Sequence, residues 1–294
     1  MRLAIIVNPI AGGGKAWKKL QRYLKSWPHQ DCQFEIHPTR CPGHAAVITQ
    51  ELLENPPDLL AVCGGDGTLN EVASQLPSAP FPVAVLPSGT ANVLAREVGL
   101  PLDPVQALEI ALKGPVRWVD LGVLNARVSH HFLLMAGVGF DAYVVLKCNA
   151  RVKKVLGIGA YYEAVFRCLL TYPFYEFQVK TESESFPATS CVIANSKNYG
   201  GGLVLAPDAS ISDGILNVIT VQGKPKLNYL RFLMALWRRK APVFPWVRNL
   251  QARSIRIEGP RGVWAHTDGE LVGTLPLELG VAPGAFPLKV RESP

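Results

Sequence analysis

The residues with the clearest capacity for chemistry lie in one glycine-rich stretch, AVCGGDGTLNEVA, at positions 61–73. An apolar run at 59–63 predicts a buried strand, and a helix-like pattern follows the glycines. Glycine lets a backbone approach a phosphate closely, and the first turn of a helix offers unpaired N–H groups. Asp66 would repel a phosphate unless a metal ion or a proton transfer needs it, and a turn or cap residue is the alternative. The nearby Thr68, Thr90 and Asn92 favour the metal-binding or catalytic role.

Two further glycine-bearing loops follow predicted strands in the same way. NPIAGGGK at 8–15 follows the first strand, and LPSGTAN at 86–92 follows the fourth. The carboxyl ends of parallel strands share one edge of a sheet, so we expect the three loops to converge there. One such loop is often only a turn, whereas three together favour a phosphate-binding site.

The common nucleotide-binding motifs do not fit these loops. A Walker A loop that ended in Gly14 and Lys15 would need glycine where Pro9 stands. A dinucleotide fingerprint that began at Gly12 would need glycine where Trp17 stands. The sequence therefore supports neither a P-loop NTPase nor a standard Rossmann dehydrogenase.

The elements that position these loops alternate between strand and helix over the first ~120 residues. Predicted strands lie at 3–7, 32–37, 58–63 and 82–87, and predicted helices at 16–27, after Pro42, and at 68–76, 90–98 and 104–112, the last with Asp103 as N-cap. This order predicts an α/β nucleotide-binding domain over residues 1–122 with a mostly parallel sheet.

The pattern of residues 123–294 predicts a β-rich, sandwich-like second domain. We expect this domain to bind the substrate other than the nucleotide. Its predicted strands lie at 123–138, 174–181, 190–196, 215–222, 254–260, 262–268, 276–282 and 286–292, with helical segments at 149–171 and 225–239. No low-complexity linker separates the two domains, so we expect them to pack closely around a cleft.

Composition and charge narrow the class of protein. No apolar run approaches the ~20 residues that cross a bilayer, and the apolar start is too short for a secretory signal, so we expect a cytoplasmic protein. None of the six cysteines belongs to a CxxC pair, which favours free thiols. The net charge of +7 indicates a polyanionic partner: a nucleotide, a nucleic acid or an anionic membrane.

The glycine loops, together with TDGE at 267–270, resemble the catalytic domain of the diacylglycerol kinase family, and most closely its soluble bacterial lipid kinases. The resemblance spans nearly the whole chain, with the motifs in the family order. GGDGT alone is less specific, because NAD kinases and phosphofructokinase-like proteins share a similar loop. TDGE and the β-rich second half favour the lipid kinases, and the resemblance implies an NAD-kinase/diacylglycerol-kinase-like fold.

The resemblance implies that the first domain binds ATP. The implied nucleotide-binding residues are Asn8, Gly12, Gly13, Gly14, Lys15, Thr39, Gly64, Gly65, Asp66, Gly67, Thr68, Leu69, Asn70 and Thr90. Glu270 matches the family's proton acceptor, which would take the proton from a lipid hydroxyl as it attacks the γ-phosphorus of Mg·ATP. Asp66 is the alternative base, because eukaryotic sphingosine kinases resemble this pattern and an aspartate of their glycine loop has that role. The alternative for Glu270 is an exposed turn residue without a catalytic role.

The resemblance also implies a magnesium site. Asp213 would supply a carboxylate beside the carbonyls of Ser210 and Ile215, and oxygen-only ligation suits Mg²⁺; a simple Asp-Gly turn is the alternative. Asp66 and Asp120 match a separate acidic network, which in the family surrounds the metal ion of the ATP. Many members carry another acid where this chain has Val93, and we hypothesise that Glu97, one helical turn away, replaces it.

Basic and aromatic residues are interleaved at 149–171 and 224–253, and the second stretch contains no acid. Such segments suit the surface of an anionic membrane, although core-facing helices with a solvated basic face are nearly as well supported. No motif for reading nucleic acid is present, and we expect no nucleic-acid partner. The sequence favours an ATP-dependent lipid kinase for a diacylglycerol-like substrate, with an NAD kinase or a weakly catalytic nucleotide-binding lipid sensor as alternatives.

Overall fold

A computed structural model describes residues 1–77, 80–126, 128–147, 158–199, 203–223, 226–238 and 241–292, with only the backbone at 158–163. The chain divides into two compact units. The first unit comprises Met1–Val119 and Gly284–Pro294, and the second comprises Asp120–Pro283.

The first unit alternates strands and helices, as the sequence predicts. Its elements are β1 (Arg2–Val7), α1 (Lys15–Lys25), β2 (Gln33–Pro38), α2 (His44–Glu54), β3 (Leu59–Gly64), α3 (Asp66–Ala73), β4 (Val83–Pro87), α4 (Val93–Glu97) and α5 (Pro104–Lys113). The carboxylate of Asp103 accepts hydrogen bonds from Val105 N and Gln106 N, which confirms the predicted N-cap of α5. The helix predicted at 90–98 is shorter than expected, because residues 88–92 form a loop that precedes α4.

In the sheet of this unit, the strands β2-β1-β3-β4 lie side by side in that order and are parallel throughout, and Leu288 pairs in parallel with Val83 of β4. In its register Val7 lies opposite Cys63, and Gly64 lies opposite Pro87. The three strands that precede the glycine loops therefore end at the same edge. Residues from β1, β3, β4, α1 and α5 share one apolar core, and burial of that core fixes the edge from which the loops emerge.

The second unit is built mainly from antiparallel strands. Its elements are β5 (Val116–Asn125), β6 (Ser129–Phe132), β7 (Met135–Gly139), α6 (Phe140–Lys147), α7 (Ile158–Thr171), β8 (Phe177–Thr181), β9 (Ser185–Ala188), β10 (Ser190–Ala194), β11 (Asn198–Tyr199), β12 (Leu203–Val204), β13 (Leu216–Val221), α8 (Lys226–Trp237), β14 (Val247–Ala252), β15 (Ser254–Glu258), β16 (Trp264–Thr267), β17 (Glu270–Thr274) and β18 (Leu277–Lys289). The first part of β5, as far as Val119, and the last part of β18, from Gly284 on, belong to the first unit.

Two strand layers share a single core in this unit. One layer has the order β14-β13-β10-β7-β16-β17, and the other contains β18-β15-β8-β9. Val218 and Ile193 of the first layer belong to the same buried cluster as Ile255 and Phe177 of the second. The predicted sandwich-like fold is confirmed.

Two features of the second unit differ from the sequence predictions, and one predicted helix is described in part. Strands predicted at 276–282 and 286–292 form one strand, β18, because the chain passes through Gly284 with a left-handed φ of 55° and continues pairing instead of turning back. Helix α6 was not predicted, since its run of apolar residues lacks a clear helical period. The helix predicted at 149–171 is present as α7, and residues 149–157 lie outside the described residues.

Within the described part of the chain, no helix is long and apolar enough to cross a membrane. The five cysteines in that part are free thiols, four of them buried, and Cys148 lies outside it.

Candidate functional site

The three glycine loops of the first unit contact one another directly. The Asn8 side-chain amide in the first loop donates to Thr68 Oγ1 in the second over 3.2 Å. Ser88 N in the third loop donates to Gly64 O in the second over 3.0 Å. The predicted convergence at the sheet edge is therefore confirmed.

Glycine is required in these loops because their backbones touch. A Cβ on Gly12 would lie 2.2 Å from Ser88 O, and one on Gly89 would lie 2.5 Å from the Cα of Gly65. Gly13 differs, because a Cβ there would meet nothing within 4 Å. Two roles follow: close packing of loop on loop at Gly12 and Gly89, and an open backbone at Gly13 that a ligand is able to approach.

A pair of alanine variants separates these two roles. Gly12 and Gly13 both have left-handed φ angles, 54° and 72°, so alanine costs each about 1–2 kcal/mol of backbone strain. Gly12→Ala adds a collision with Ser88 O, and we expect it to lower the urea midpoint of unfolding clearly more than Gly13→Ala does. Equal midpoints would contradict the packing role of Gly12.

Asp66 is the first residue of α3 and connects two of the loops. Its carboxylate accepts hydrogen bonds from Val93 N over 2.7 Å and from Leu94 N over 3.3 Å, at the start of α4. Burial raises the pKa of Asp66, and the N–H groups of Leu94 and Val93 partly oppose that rise. Asp66 therefore caps α4, which begins 27 positions further along the chain, and not its own helix α3. Oδ1 accepts both of these capping bonds.

The other predicted nucleotide-binding residues lie in the segments that follow strands β1 to β4. Lys15 is exposed at the start of α1, directly after three left-handed glycines. Thr39 follows β2 and donates its backbone N–H to Val7 O over 2.8 Å, and Thr90 is exposed in the third loop. Leu69 and Asn70 are buried on α3, and Asn70 Oδ1 has no hydrogen-bond partner within the described residues.

Asn92 organises the third loop, a role that the sequence prediction did not assign to it. Its side chain accepts from Gly89 N over 2.8 Å and donates to Gly89 O over 2.9 Å, while its own φ is 48°. Asparagine tolerates this left-handed conformation, and an asparagine before a short helix was the available signal. Val93 then begins α4 and is buried, and Glu97 ends it.

The candidate metal ligands of the second unit lie around one loop. Asp120 is buried on β5, where its N–H donates to Ile211 O and its carboxylate accepts from Gly214 N, both over 2.7 Å. Asp213 is exposed in the same loop, and its Oδ1 accepts from Ile215 N over 3.1 Å. The described residues contain no group of three or more His, Cys, Asp or Glu side chains that could hold a metal. Any site here would therefore depend on carbonyl oxygens such as those of Ser210 and Ile215.

Glu270 is exposed at the first position of β17, directly after the tight turn that joins it to β16. Asp268 secures this turn, because its carboxylate accepts hydrogen bonds from three successive backbone N–H groups over 2.8–3.1 Å. The donors are Leu133, Leu134 and Met135. The two acids of TDGE thus differ, since Asp268 is committed to the fold whereas Glu270 is presented at the surface.

The fold defines the class of protein: an α/β unit with a mostly parallel sheet and an antiparallel sandwich, of the diacylglycerol-kinase and NAD-kinase type. Residues 2–124 match the family described as the diacylglycerol kinase catalytic domain. Residues 135–290 match the YegS C-terminal NAD kinase beta sandwich-like domain. The chain belongs to this diacylglycerol kinase and YegS-like family, and is accordingly a kinase, that is, a phosphotransferase.

Individual proteins show the same relationship. A diacylglycerol kinase from Mycobacterium tuberculosis is 28% identical over 97% of this chain and 94% of its own length. A probable lipid kinase YegS-like protein from Chromohalobacter salexigens is 31% identical over 78% of this chain and 75% of its own length. A solved structure from Bacillus anthracis str. Sterne has a TM-score of 0.82 at 24% identity, with 99% of this chain and 95% of that chain covered, which shows the fold alone.

Proposed function

We propose that the protein is an ATP-dependent lipid kinase that transfers the γ-phosphate to a hydroxyl of a diacylglycerol-like membrane lipid. The observation that carries the proposal is the convergence of three glycine loops at one sheet edge, with Asp66 between the second and third loops. The names of the relatives, diacylglycerol kinase and YegS-like lipid kinase, support the substrate class.

The first unit would bind the nucleotide. The open, left-handed backbone at Gly13 and the exposed ammonium of Lys15 suit the approach of a polyphosphate. Phosphoryl transfer depends mostly on positioning and charge neutralisation, which such a cradle supplies.

Magnesium would be held by oxygen ligands. The donor set around the 210–215 loop fits this ion, since Asp120 and Asp213 offer carboxylates and Ser210 and Ile215 offer carbonyls, with no sulfur or imidazole among them. Bound Mg²⁺ would neutralise negative charge and rigidify the loop that Asp120 already holds at Gly214.

Glu270 would accept the proton of the lipid hydroxyl. An exposed carboxylate at the start of β17 is accessible to a substrate, and the turn before it is held by Asp268. Asp66 remains the alternative base or a ligand of the nucleotide's metal ion, since its carboxylate lies where the second and third glycine loops meet.

A cavity of about 310 Å³ in the second unit supports an apolar substrate. Its lining is almost wholly apolar and comes from α6, α7, α8 and strands β10 and β13, with Val144, Val192, Ile219 and Phe232 among its residues. A cavity of this size accommodates part of an acyl chain, and we propose that it does so.

The same helices carry a surface that suits a membrane. Phe166 on α7 and Trp237 on α8 are 64% and 70% exposed, and Leu170 and Leu227 are exposed as well. Basic side chains lie on the two helices, namely Arg167, Lys226 and Arg231, and Arg238 follows the end of α8. We propose that this surface docks peripherally on an anionic membrane.

Radiolabelled ATP with mixed micelles tests the proposed function. We expect Mg²⁺-dependent transfer of label to diacylglycerol or a related lipid alcohol, none to NAD, and loss of transfer with EDTA. Label on NAD but on no lipid would instead establish an NAD kinase. Tight binding of ATP and lipid without turnover would establish a sensor, for which Val93 in place of the family acid is the only sequence support.

A further inference from the structure

A chain of buried polar groups ends at the turn that carries Glu270. Tyr199 donates its hydroxyl to Asp141 Oδ1, and His266 Nε2 lies 2.7 Å from Asp141 Oδ2. Gly269 N then donates to His266 Nδ1 over 3.2 Å. Asp141 and His266 are only 5% and 3% exposed, so the chain connects the interior of the second unit to the residue before Glu270.

The hydrogen bonds fix the state of His266. Gly269 N is a donor, so Nδ1 must be the unprotonated, accepting nitrogen of the ring. Nε2 therefore carries the proton and donates a hydrogen bond to Asp141 Oδ2. The neutral ring thus has one defined tautomer, and each of its nitrogens has a separate role.

The backbone is shaped to allow this arrangement. The pairing of β16 with β17 is irregular between Ala265 and His266, and a bulge of this kind re-aims the side chain that follows it. On the neighbouring strand, a Cβ at Gly137 would lie 2.2 Å from Asp141 Oδ2 and 2.3 Å from His266 Nε2. Only glycine at that position leaves room for the pair.

We infer that His266 and Asp141 are positioning residues that hold the 267–270 turn, and with it Glu270, in place. The inference deepens the proposed function and rests on Glu270 acting in phosphoryl transfer. Misplacing a reacting group by about 1 Å can cost on the order of 100-fold in rate. Asp141 and Tyr199 also line the apolar cavity, so the chain runs from the cavity wall to the turn.

Two substitutions at His266 break the two bonds separately. In His266→Gln, the side-chain amide nitrogen can occupy the position of Nε2 and still donate to Asp141, but the acceptor for Gly269 N is lost. In His266→Asn, the side-chain oxygen can occupy the position of Nδ1 and still accept from Gly269 N, but the donor to Asp141 is lost.

The two variants should rank in opposite orders for activity and for stability. We expect His266→Gln to lower kcat about 10- to 100-fold, with little change in the KM for ATP. The melting temperature should change little, because Gly269 is an exposed residue and water can solvate its freed N–H. We expect His266→Asn to retain clearly more kcat but to melt lower, because the buried Asp141 loses a partner. If kcat and melting temperature fall in the same order, the role is structural and the inference fails.

Amide hydrogen exchange gives a second measurement that does not need turnover. We expect exchange at Gly269 and Glu270 to accelerate in His266→Gln and to stay near the wild-type rate in His266→Asn. Equal exchange in both variants would contradict the inference. Should the wild-type protein phosphorylate no lipid, the proposed function would fail, and exchange alone would decide whether His266 holds the turn.

Discussion

Asp66→Asn should abolish most phosphoryl transfer while leaving the protein at least as stable at neutral pH. As a base or a metal ligand, Asp66 would supply about 10²–10⁴-fold of the rate. Asparagine keeps an oxygen that can accept from Val93 N and Leu94 N, so the cap on α4 survives. The variant also removes a carboxylate whose ionised form is disfavoured by burial.

The raised pKa of Asp66 determines whether Asp66→Asn stabilises or destabilises the protein at a given pH. The folded-state pKa of Asp66 is raised above its ordinary value of 3.8, so the folded state holds the proton more tightly than the unfolded chain. The contribution of Asp66 to the free energy of unfolding is therefore greatest below pH 3.8 and falls as the pH rises through the raised pKa. Relative to the wild type, Asp66→Asn should gain stability over that interval, measured by urea unfolding at a series of pH values.

Asp103→Asn is the matched control in the same unit. Burial tends to raise the pKa of Asp103, but the Lys19 ammonium and the first amides of α5 outweigh burial, and the net pKa is lowered. Its contribution to stability is present above pH 3.8 and is lost as the pH falls. This variant should lose stability at neutral pH and keep its kcat. Wild-type turnover in Asp66→Asn would exclude Asp66 as base and as essential metal ligand.

The fold of the first unit could be predicted because its signals are local. Each glycine loop follows an apolar run, and Asp103 followed by Pro104 marks a helix start within three residues. The role of Asp66 could be predicted only in part. A local pattern shows an acid at a helix start, but the bond that Asp66 makes to Val93 joins positions 27 residues apart.

The second unit was harder to predict because its site depends on contacts between distant residues. His266 and Asp141 are 125 positions apart, and neither stands in a pattern that indicates the other. The segment FDAYVVLK reads equally well as a strand, so α6, which carries Asp141, was missed. The role of Gly137 could not be predicted either. A glycine in a strand indicates that some group approaches the backbone closely, but the sequence does not identify that group.

Glu270→Gln should lower kcat by about 10²–10⁴-fold, because the amide can neither take a proton nor carry the charge that a base needs. The KM for ATP should change little, since Glu270 is not among the predicted nucleotide-binding residues. Glu270 is exposed, so the melting temperature should stay close to that of the wild type. Steady-state kinetics with lipid micelles and thermal unfolding measure both effects.

Two acidic controls show whether a loss of activity at Glu270 is chemical or structural. Asp268→Asn should melt lower, because an amide nitrogen placed among the N–H groups of Leu133, Leu134 and Met135 cannot accept from them. Glu278→Gln removes another exposed glutamate, which pairs with Arg256 at the surface, and should leave kcat unchanged. Full activity in Glu270→Gln beside an inactive Asp66→Asn would transfer the role of base to Asp66. The reverse result would leave Asp66 as the cap that orders the third loop and Glu270 as the base.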